Sequence, residues 1–554
     1  MSSTDSYVVN NATINLDEFQ SLTDLFDKKC RQFAACPAYT NMGSSFTYTE
    51  WEAKTTAFAA YLQQQLKLPK GERVALMMPN ILQYPIALFG VWKAGLIAVN
   101  VNPLYTAREL KHQLIDAQAT TIVILENFAS VLEEVVHETP VQHIITTELG
   151  DLLSAVKGAV INFAVKHIKH MVPKFHLQNR VDFKHVLKDG AHLKYTPVNS
   201  THDDVALLQY TGGTTGVAKG AMLSHGNMLA NLEQIKNFLP IEEGKEIFMT
   251  PLPLYHIFAL TANCILSLAL GALNVLITNP RDIRAFVKEL SKYPYTLITG
   301  VNTLYNALLN NKEFCQLDFS HLRIVIGGGM AVQKAVAEKW QSITKTRLLT
   351  GYGLTETSPV VAVENPDDPT FTGTIGLPLA ATAVTVRDEN GTILPRGERG
   401  ELCVKGPQVM TGYWNKPDET AQVLSADGWL RTGDIAIIEP NDYIRLVDRK
   451  KDMILVSGFN VYPNEVEDVL AMHPAVQEVA CIGVPDEHSG EVVKVFIVKK
   501  PGMELDEKEI RHYCKENLTG YKIPRHVEFR DSLPKSNVGK ILRRELRDET
   551  QTKD

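Results

Sequence analysis

The sequence predicts an α/β protein with a large N-terminal domain of parallel α/β subdomains, a small β subdomain within it, and a small C-terminal α+β domain. The chain has 554 residues, more than one ordinary hydrophobic core can organise, so several subdomains are expected. Strand and helix patterns alternate in the first part of the chain. Short strands punctuated by turns replace them from about residue 374.

The alternation begins at RVALMMPN (73–80), an apolar run that predicts a buried strand. Residues 81–95 predict a helix that stops at a glycine. Further strands are predicted at 96–103, 120–125, 296–299 and 323–329, and further helices at 106–119 and 332–345. Such alternation is typical of a parallel sheet covered by helices.

The chain changes character after residue 374. Turns such as DENG (388–391) and PRGERG (395–400) separate short strands and predict a mainly β subdomain over 374–448. The charged run DRKKD (448–452) lies between two apolar strands, so we expect the N-terminal domain to span 1–448 and the C-terminal domain 453–554. The C-terminal domain has predicted helices at 465–474 and 504–518 and predicted strands at 476–484 and 492–500.

The composition argues against several classes of function. The net charge is −7 without a basic excess, which disfavours nucleic-acid binding. Seven scattered cysteines without CxxC spacing favour reduced thiols over disulfides or zinc. No signal peptide is evident, so a cytoplasmic location is expected. The apolar window 259–278 is interrupted by Asn263, Gly271 and Asn274, which predicts a buried helix and strand rather than a membrane span.

The loop YTGGTTGVAKG (210–220) carries a strong chemical signal. Glycines let backbone N–H groups approach a ligand closely, and the threonine hydroxyls and the lysine add further donors, a set that suits a polyphosphate. The Walker pattern is not met, because Lys219 follows Ala218 rather than glycine. The loop is therefore predicted to bind phosphates differently from a P-loop.

Three further polar stretches lie downstream of this loop. YGLTET (352–357) places Glu356 among small hydroxyl residues, which suits Mg²⁺, although a capped helix start has the same pattern. GWLRTGD (428–434) presents Asp434 after a turn, and PKSNVGK (534–540) places Lys540 on a glycine-containing loop. Each of these stretches, taken alone, is also typical of an ordinary turn or surface.

Taken together and in this order, YTGGTTGVAKG, YGLTET, WLRTGD, DRKKDMILVSGFNVYPNEVE and PKSNVGK resemble the core motifs of the acyl-adenylate-forming superfamily. The resemblance covers essentially the whole chain, and longer runs such as LPKSNVGKILRRELRDE are most similar to bacterial long-chain fatty acid–CoA ligases. It implies that a fatty acid carboxylate attacks the α-phosphate of ATP, releasing pyrophosphate. The thiol of coenzyme A then attacks the acyl-adenylate and expels AMP.

The resemblance also implies which residues bind ATP. Thr211, Gly212, Gly213, Thr214, Thr215 and Lys219 would contact the β- and γ-phosphates. The adenine site would be formed by Gly327, Gly328, Gly329, Gly351, Tyr352 and Gly353, and the ribose site by Asp434 and Arg449. Thr355 would contact the α-phosphate, Glu356 with Thr214 would hold Mg²⁺, and Lys540 would be the catalytic lysine of adenylation.

The remaining implied roles concern domain motion and the other two substrates. Residues 449–452 would be a hinge centred on Lys451, about which a mobile C-terminal domain rotates between the half-reactions. The rotation would bring a coenzyme A channel formed by Ser457, Gly458 and Phe459 into place. The acyl pocket would be lined by His256, Val301 and Tyr305.

Residues 157–174 predict a basic amphipathic helix. Its apolar stripe consists of Ile161, Ala164, Val165, Ile168 and Met171, and its lysines are Lys157, Lys166, Lys169 and Lys174. Such a helix lies on anionic lipid or packs its stripe against the core. The sequence therefore suggests peripheral contact with the cytoplasmic face of the inner membrane, and family analogy suggests a homodimer.

Other functions remain open at this stage. One is a medium-chain or aromatic acid–CoA ligase, and another is a peptide-synthetase-type adenylation module, against which the absence of a carrier segment after Lys540 argues. A function of a different class is a non-catalytic, lipid-binding, membrane-associated protein. The presence of the charged residues Lys219, Glu356, Asp434, Arg449 and Lys540 argues against it.

Overall fold

Two large sheets form the centre of the structure, a computed structural model that describes residues 8–211, 218–486 and 488–551. Within these residues the first sheet has eight strands, in the spatial order Gly412–Tyr413, Lys219–Ser224, Val205–Thr211, Ile97–Asn100, Arg73–Met77, Thr121–Leu125, His143–Thr147 and Val181–Asp182. The second has nine, in the order Leu377–Pro378, Val360–Val363, Leu349–Gly353, Ile324–Gly327, Leu297–Gly300, Ile247–Thr250, Leu273–Leu276, Pro37–Asn41 and Ser44–Thr47. The central strands are parallel, and antiparallel pairs lie at the edges. The predicted α/β fold is confirmed.

Side chains along the central strands alternate between two cores. Val74 and Leu76 belong to the core between the two sheets, whereas Ala75 and Met77 belong to the core on the outer face of the first sheet. Because both faces are covered, these strands are apolar along their whole length. Their continuous apolar runs are what made them visible in the sequence.

Helices cover both faces of both sheets. The helices that contribute to the core between the sheets are Leu22–Gln32, Tyr48–Gln64, Gln83–Lys93, Phe183–Gly190, His225–Phe238, Ile257–Ala259 and Leu266–Leu270. The outer face of the first sheet carries Ala107–Ala117 and Ala129–Glu133, and that of the second carries Ile283–Leu290, Asn302–Leu309 and Lys334–Thr344. Thr106 begins one of these helices with a capping box to Glu109.

The apolar window 259–278 is divided as the sequence predicts. The helix Leu266–Leu270 ends at Gly271, whose φ of +64° is in the left-handed region that favours glycine, and the strand Leu273–Leu276 follows. Asn263 and Asn274 are fully buried and joined by a hydrogen bond of 3.0 Å. In the part of the chain that the structure describes, no helix is long and apolar enough to cross a bilayer.

Two smaller sheets complete the structure. The third is antiparallel and consists of Val8–Val9, Ala383–Arg387, Arg399–Lys405, Leu430–Ile438 and Ile444–Arg449. The fourth consists of Phe459–Val461, Ile454–Val456, Gly490–Lys499, Val476–Asp486 and His526–Phe529, with the helices Pro463–Ala471, Glu507–Asn517 and Arg543–Gln551. The third sheet ends at Arg449 and the fourth begins at Ile454. The predicted hinge, 449–452, begins at the last residue of the third sheet and leads towards the fourth, and the domain boundaries stay a prediction.

A buried ion cluster joins the third sheet to the C-terminal region. The guanidinium of Arg543 lies 3.2 Å from Oδ1 of Asp448 and 2.7 Å from Oε2 of Glu467. Oδ2 of Asp448 also accepts the backbone N–H of Asn464 at 2.8 Å. Buried charges are tolerated only when they are paired and hydrogen-bonded in this way, so the cluster fixes one arrangement of the two parts.

Close helix packing generates a prediction about stability. A Cβ at Gly190 would lie 2.0 Å from the carbonyl oxygen of Ala57 on the neighbouring helix. We predict that Gly190→Ala lowers the free energy of unfolding by about 1–3 kcal/mol, because the two helices must separate. Gly520→Ala is the control, since a Cβ there meets nothing within 4 Å. Equal melting temperatures for the two variants, measured by circular dichroism, would contradict this packing.

Candidate active site

A cavity of about 750 Å³ opens where the second sheet, the third sheet and the C-terminal region meet. Its wall brings together predicted residues that are far apart in sequence: Gly329, Gly351, Tyr352, Gly353, Asp434, Arg449 and Lys540. Glycine backbone, a carboxylate, a guanidinium and an ammonium therefore face one space. This set of groups suits a ligand that carries both hydroxyls and negative charge.

Two neighbouring parallel strands deliver the glycines. Ile324–Gly327 and Leu349–Gly353 pair with Gly327 opposite Thr350, so their carboxyl ends open on the same side. A Cβ at Gly328 would lie 3.0 Å from the ring of Phe258 and 3.2 Å from the carbonyl oxygen of Gly351. Gly328 is therefore packed closely against protein atoms, whereas Gly329 lines the cavity, and the role of the three glycines at adenine stays a prediction.

Asp434 is the central carboxylate of the cavity. Its Oδ2 accepts a hydrogen bond of 2.6 Å from the hydroxyl of Tyr352, and its Oδ1 lies 2.6 Å from Nε of Arg449. Asp434 and Arg449 are opposite each other on adjacent antiparallel strands, which explains their proximity. Burial and the neighbouring carboxylate raise the pKa of Tyr352 well above its usual value, so the phenol donates. Each carboxylate oxygen still has a lone pair for a ligand hydroxyl.

The C-terminal region places Lys540 in the cavity wall. The N–H of Ser536 donates to the carbonyl of Lys540 at 2.7 Å, which closes the loop, and Thr303 donates to the carbonyl of Gly539 at 2.9 Å. Burial, followed by the charge of Arg449, lowers the pKa of Lys540 to about 8. Among the described residues of the C-terminal region, Lys540 is thus the predicted catalytic residue that lines the cavity.

Lys451, the predicted hinge residue, is partly buried nearby, with its Nζ shielded from solvent. Its Nζ has no hydrogen-bond partner within the described residues, and burial lowers its pKa to about 8. The next residue, Asp452, pairs with Arg547 at 2.5 Å. The hinge role stays a prediction, since it concerns a motion between two arrangements.

Glu356 lies on the short helical turn Thr355–Thr357. Its Oε1 accepts a hydrogen bond of 2.7 Å from the hydroxyl of Tyr413, and its carbonyl accepts the N–H of Met410 at 2.8 Å. The described ranges contain no group of three or more histidine, cysteine or acidic side chains that could hold a metal ion. A cation at Glu356 would therefore take most of its ligands from a substrate and water, as Mg²⁺ commonly does.

The phosphate-loop residues Gly212, Gly213, Thr214 and Thr215 lie outside the described residues, and their roles stay predictions. The loop leaves the strand that ends at Thr211 and returns at Lys219, which is directly opposite Thr211 in the antiparallel pair. The ammonium of Lys219 contacts the carboxylate of Glu419 and lies 5.2 Å from the ring centroid of Tyr413.

The three predicted acyl-pocket residues have different surroundings. Nδ1 of His256 accepts the N–H of Phe258 at 3.3 Å, and burial, with the charge of Lys540, lowers its pKa to about 4, so the ring is neutral. Val301 is buried near Gly539. Tyr305 is fully buried, and its hydroxyl donates to the carbonyl of Ile326 at 2.7 Å. These contacts account for the burial of Tyr305 by packing, and its role in the acyl pocket stays a prediction.

The predicted coenzyme A residues lie away from the cavity. Ser457 and Gly458 form the turn between two short strands and both have a positive φ, 49° and 84°. Phe459 is exposed and stacks on Tyr521 with ring centroids 4.8 Å apart. The structure does not bring these residues together with Lys540.

Sequence reasoning missed three residues that hold predicted site residues in place. Tyr413 binds Glu356, Glu419 binds Lys219, and Glu401 accepts the N–H of Gly433 at 3.2 Å in the turn before Asp434. The run TGYWNKPDET (411–420) contains two aromatic and two acidic residues. This concentration was the sequence signal that pointed to Tyr413 and Glu419. Nothing in the sequence distinguished Glu401 from other strand residues.

Known proteins resemble this chain over nearly its whole length. A long-chain-fatty-acid–CoA ligase from Escherichia coli O6:H1 is 59% identical over 542 residues, which cover 98% of this chain and 96% of that protein. One from Salmonella typhimurium is 58% identical over 544 residues, with 98% and 97% covered. A solved structure of an anthranilate CoA ligase in complex with anthranoyl-AMP aligns with a TM-score of 0.86 at 26% identity, covering 97% of this chain and 98% of that one.

The family models agree with these relatives. The model of the AMP-binding enzyme matches residues 26–414, and that of the AMP-binding enzyme C-terminal domain matches residues 465–540. These matches confirm the resemblance to the acyl-adenylate-forming superfamily. This chain belongs to the AMP-binding enzyme family.

Proposed function

We propose that this protein is an ATP-dependent long-chain fatty acid–CoA ligase that forms an acyl-adenylate before the thioester. The observation that carries the proposal is that Lys540 shares one cavity with Tyr352, Asp434 and Arg449. Relatives that are 53–59% identical over at least 97% of the chain bear the name long-chain-fatty-acid–CoA ligase. A feruloyl-CoA synthase is only 32% identical, so an aromatic acid is the less supported substrate.

In the first half-reaction, the cavity residues would bind and orient ATP. Asp434 would accept the ribose hydroxyls while Tyr352 and Arg449 hold its carboxylate in place. Lys540 would donate to the oxygens on which negative charge develops as the fatty acid carboxylate attacks the α-phosphate. Donors that are already positioned in a partly dry site need little reorganisation during the reaction, and this is their catalytic advantage.

The residues present fit a Mg²⁺ ion bound together with ATP. Glu356 offers one carboxylate whose Oε1 is held by Tyr413, and Mg²⁺ is commonly bound by one or two carboxylates plus substrate phosphates. Glu356 and the hydroxyl of Thr214 would hold the ion. When bound, the ion would neutralise charge on the phosphates. Thr355, next to Glu356, would contact the α-phosphate.

The second half-reaction would need a different arrangement. Lys540 occupies the cavity, whereas Ser457, Gly458 and Phe459 lie outside it. Rotation about Lys451 would exchange them and admit the thiol of coenzyme A. A hinge needs only a few residues that absorb a large change in backbone angles, and the four residues between the third and fourth sheets offer such a segment.

We further propose that residues 155–171 contact the membrane surface from which fatty acid is taken. The predicted single stripe is wrong in detail: the helix Ala155–Phe163 continues into a π turn, and Ile161 and Val165 face the core. The exposed apolar residues are instead Val156, Val160, Phe163, Ile168 and Met171, which are 53–79% exposed. Val156, Val160 and Phe163 follow helical spacing and form one face.

Charge favours an anionic bilayer as the partner of this exposed face. The stretch 154–174 contains four lysines and no acidic residue. Lys166 pairs with Glu126 and Glu148, at 3.4 Å and 3.7 Å, and is part of the fold. Lys169 and Lys174 are exposed and available to lipid headgroups. A homodimer formed through this face is the alternative use of the surface.

The first prediction from the proposed function concerns substrate and catalysis. We expect coenzyme A to be consumed with ATP, Mg²⁺ and fatty acids, with higher turnover for palmitate and stearate than for hexanoate or benzoate. Lys540→Ala should lower the rate of adenylation by about 10²–10³-fold, because a preorganised donor is lost. Lys508→Ala, an exposed lysine of the same domain, is the control. Equal rates for both variants, or a preference for benzoate, would contradict the proposal.

The second prediction concerns pH. Because the pKa of Lys540 is lowered to about 8, its charged form is lost as the pH rises through that value. We therefore expect kcat/KM for ATP in adenylation to fall above about pH 8, since this quantity reports groups of the free enzyme. Lys540→Arg should be slower but should lack this fall, because arginine stays charged.

Lys451 has a similar pKa, so it needs its own control. Lys451→Arg should keep the fall above about pH 8 if Lys540 is its source. If the fall above about pH 8 disappears in Lys451→Arg but remains in Lys540→Arg, the titrating group is Lys451 and the prediction is wrong.

The third prediction concerns the membrane. The full chain should float with vesicles containing phosphatidylglycerol and float less with phosphatidylcholine alone. Val160→Ser together with Phe163→Ser should lower binding at least about tenfold, since each buried apolar side chain contributes about 1.5 kcal/mol or more. Leu104→Ser, an exposed leucine elsewhere, is the control. Unchanged flotation with a changed elution volume in gel filtration would instead assign the face to a dimer.

A further inference from the structure

We propose that Glu419 is a positioning residue that competes with the polyphosphate of ATP, and with the pyrophosphate product, for the ammonium of Lys219. The proposal rests on the proposed function in one respect, that Lys219 binds phosphate. It adds a second state of Lys219, in which a protein carboxylate occupies the place of the phosphate. Glu419 thereby assists the release of pyrophosphate after the acyl-adenylate has formed.

The position of Glu419 follows from strand pairing next to the phosphate loop. The short strand Gly412–Tyr413 pairs with the strand on which the loop returns, with Tyr413 opposite Ala221, and Trp414 donates its N–H to the carbonyl of Gly220 at 2.8 Å. The helix Pro417–Val423 follows at once, and Glu419 in its first turn contacts Lys219. The segment 412–419 is therefore fixed against the root of the loop.

The same segment is also linked to the strand from which the loop departs, through Asp116 of the helix Ala107–Ala117. Lys416 lies 3.3 Å from Oδ1 of Asp116, and Oδ2 of Asp116 accepts a hydrogen bond of 2.7 Å from the hydroxyl of Tyr210. Tyr210 immediately precedes Thr211 at the end of that strand. One flank of the loop is thus linked to this short segment by the Lys219–Glu419 ion pair, and the other by the Lys416–Asp116 ion pair and the hydrogen bond from Tyr210.

Tyr413 connects Glu419 with the predicted metal carboxylate. The ammonium of Lys219 lies over its ring, 5.2 Å from the centroid, while its hydroxyl donates to Glu356 at 2.7 Å. The segment 412–419 therefore holds both a cation and an anion that the proposed function assigns to the phosphates.

The chemistry of the pair makes exchange possible. A carboxylate and a fully ionised phosphate are both hydrogen-bond acceptors without donors. Both therefore compete for the three N–H donors of the lysine. The side chains of Lys219 and Glu419 are 32% and 34% exposed, and ion pairs of that exposure are weak. A phosphate chain with several charges displaces such a partner, and when pyrophosphate leaves, Glu419 binds the lysine again.

The test is the binding of Mg-pyrophosphate to the full chain, measured by titration calorimetry, because this needs no turnover. We expect Glu419→Gln to bind it about two- to fivefold more tightly than wild type, the range that partly exposed ion pairs give. Asp418→Asn removes the same charge from the same helix turn at an exposed position and should have a smaller effect. In a Lys219→Met background, the extra effect of Glu419→Gln should disappear.

Three results would overturn the proposal. They are unchanged or weaker binding by Glu419→Gln, an equal effect of Asp418→Asn, and an effect that persists without Lys219. Glu419→Asp, which keeps the charge on a shorter side chain, serves if Glu419→Gln does not fold and should also tighten binding. Failure of the proposed function would give a different result from failure of this proposal. In that case the wild-type protein would bind pyrophosphate but would convert no fatty acid to its thioester.

Discussion

The arrangement of the active site depends on the buried ion cluster around Arg543. Arg543 lies three residues after Lys540, and its partner Asp448 immediately precedes Arg449. One ion cluster thus fixes the spacing between Lys540 of the C-terminal region and Asp434 with Arg449 of the third sheet, the pair predicted to bind ribose. Breaking such a cluster leaves charges buried without partners, a cost of about 3–5 kcal/mol, so this arrangement is strongly selected over loose alternatives. The chain must nevertheless leave it if the second half-reaction proceeds by rotation.

The same burial that positions Lys540 also changes its chemistry. Removing its ammonium from water and placing it near Arg449 disfavours the charged form, and Asp434 only partly compensates. The lysine is therefore short of negative partners in the free enzyme. In the proposed reaction the nucleotide supplies them, so the interaction of Lys540 with the phosphates strengthens as negative charge develops in the transition state.

The charged residues assigned to the nucleotide are mostly held by protein partners in advance. Tyr352 and Arg449 hold Asp434, Tyr413 holds Glu356, and Glu419 holds Lys219. Two kinds of partner can be distinguished. Tyrosine hydroxyls donate to carboxylates and leave lone pairs for a ligand, so they orient without competing. Glu419 accepts from the same donors that phosphate needs, so it competes. The residues proposed to bind ribose and metal are thus held in orientation, whereas the lysine proposed to bind pyrophosphate has a partner that exchanges with it.

The sequence by itself determined the layered α/β core, the family and the set of predicted site residues. Runs such as RVALMMPN are apolar on both faces and specify buried parallel strands locally, and the ordered motifs around Lys219, Glu356, Asp434 and Lys540 specify the family. Only the tertiary structure decided which of these residues meet. Antiparallel register places Arg449 beside Asp434, and domain docking places Lys540 in the cavity and Phe459 outside it. It also showed that Tyr305 packs in the core, that the apolar face of 155–171 differs from the predicted stripe, and that Tyr413, Glu419 and Glu401 support the site. Contacts between residues distant in sequence depend on strand register and packing, which a local pattern does not encode.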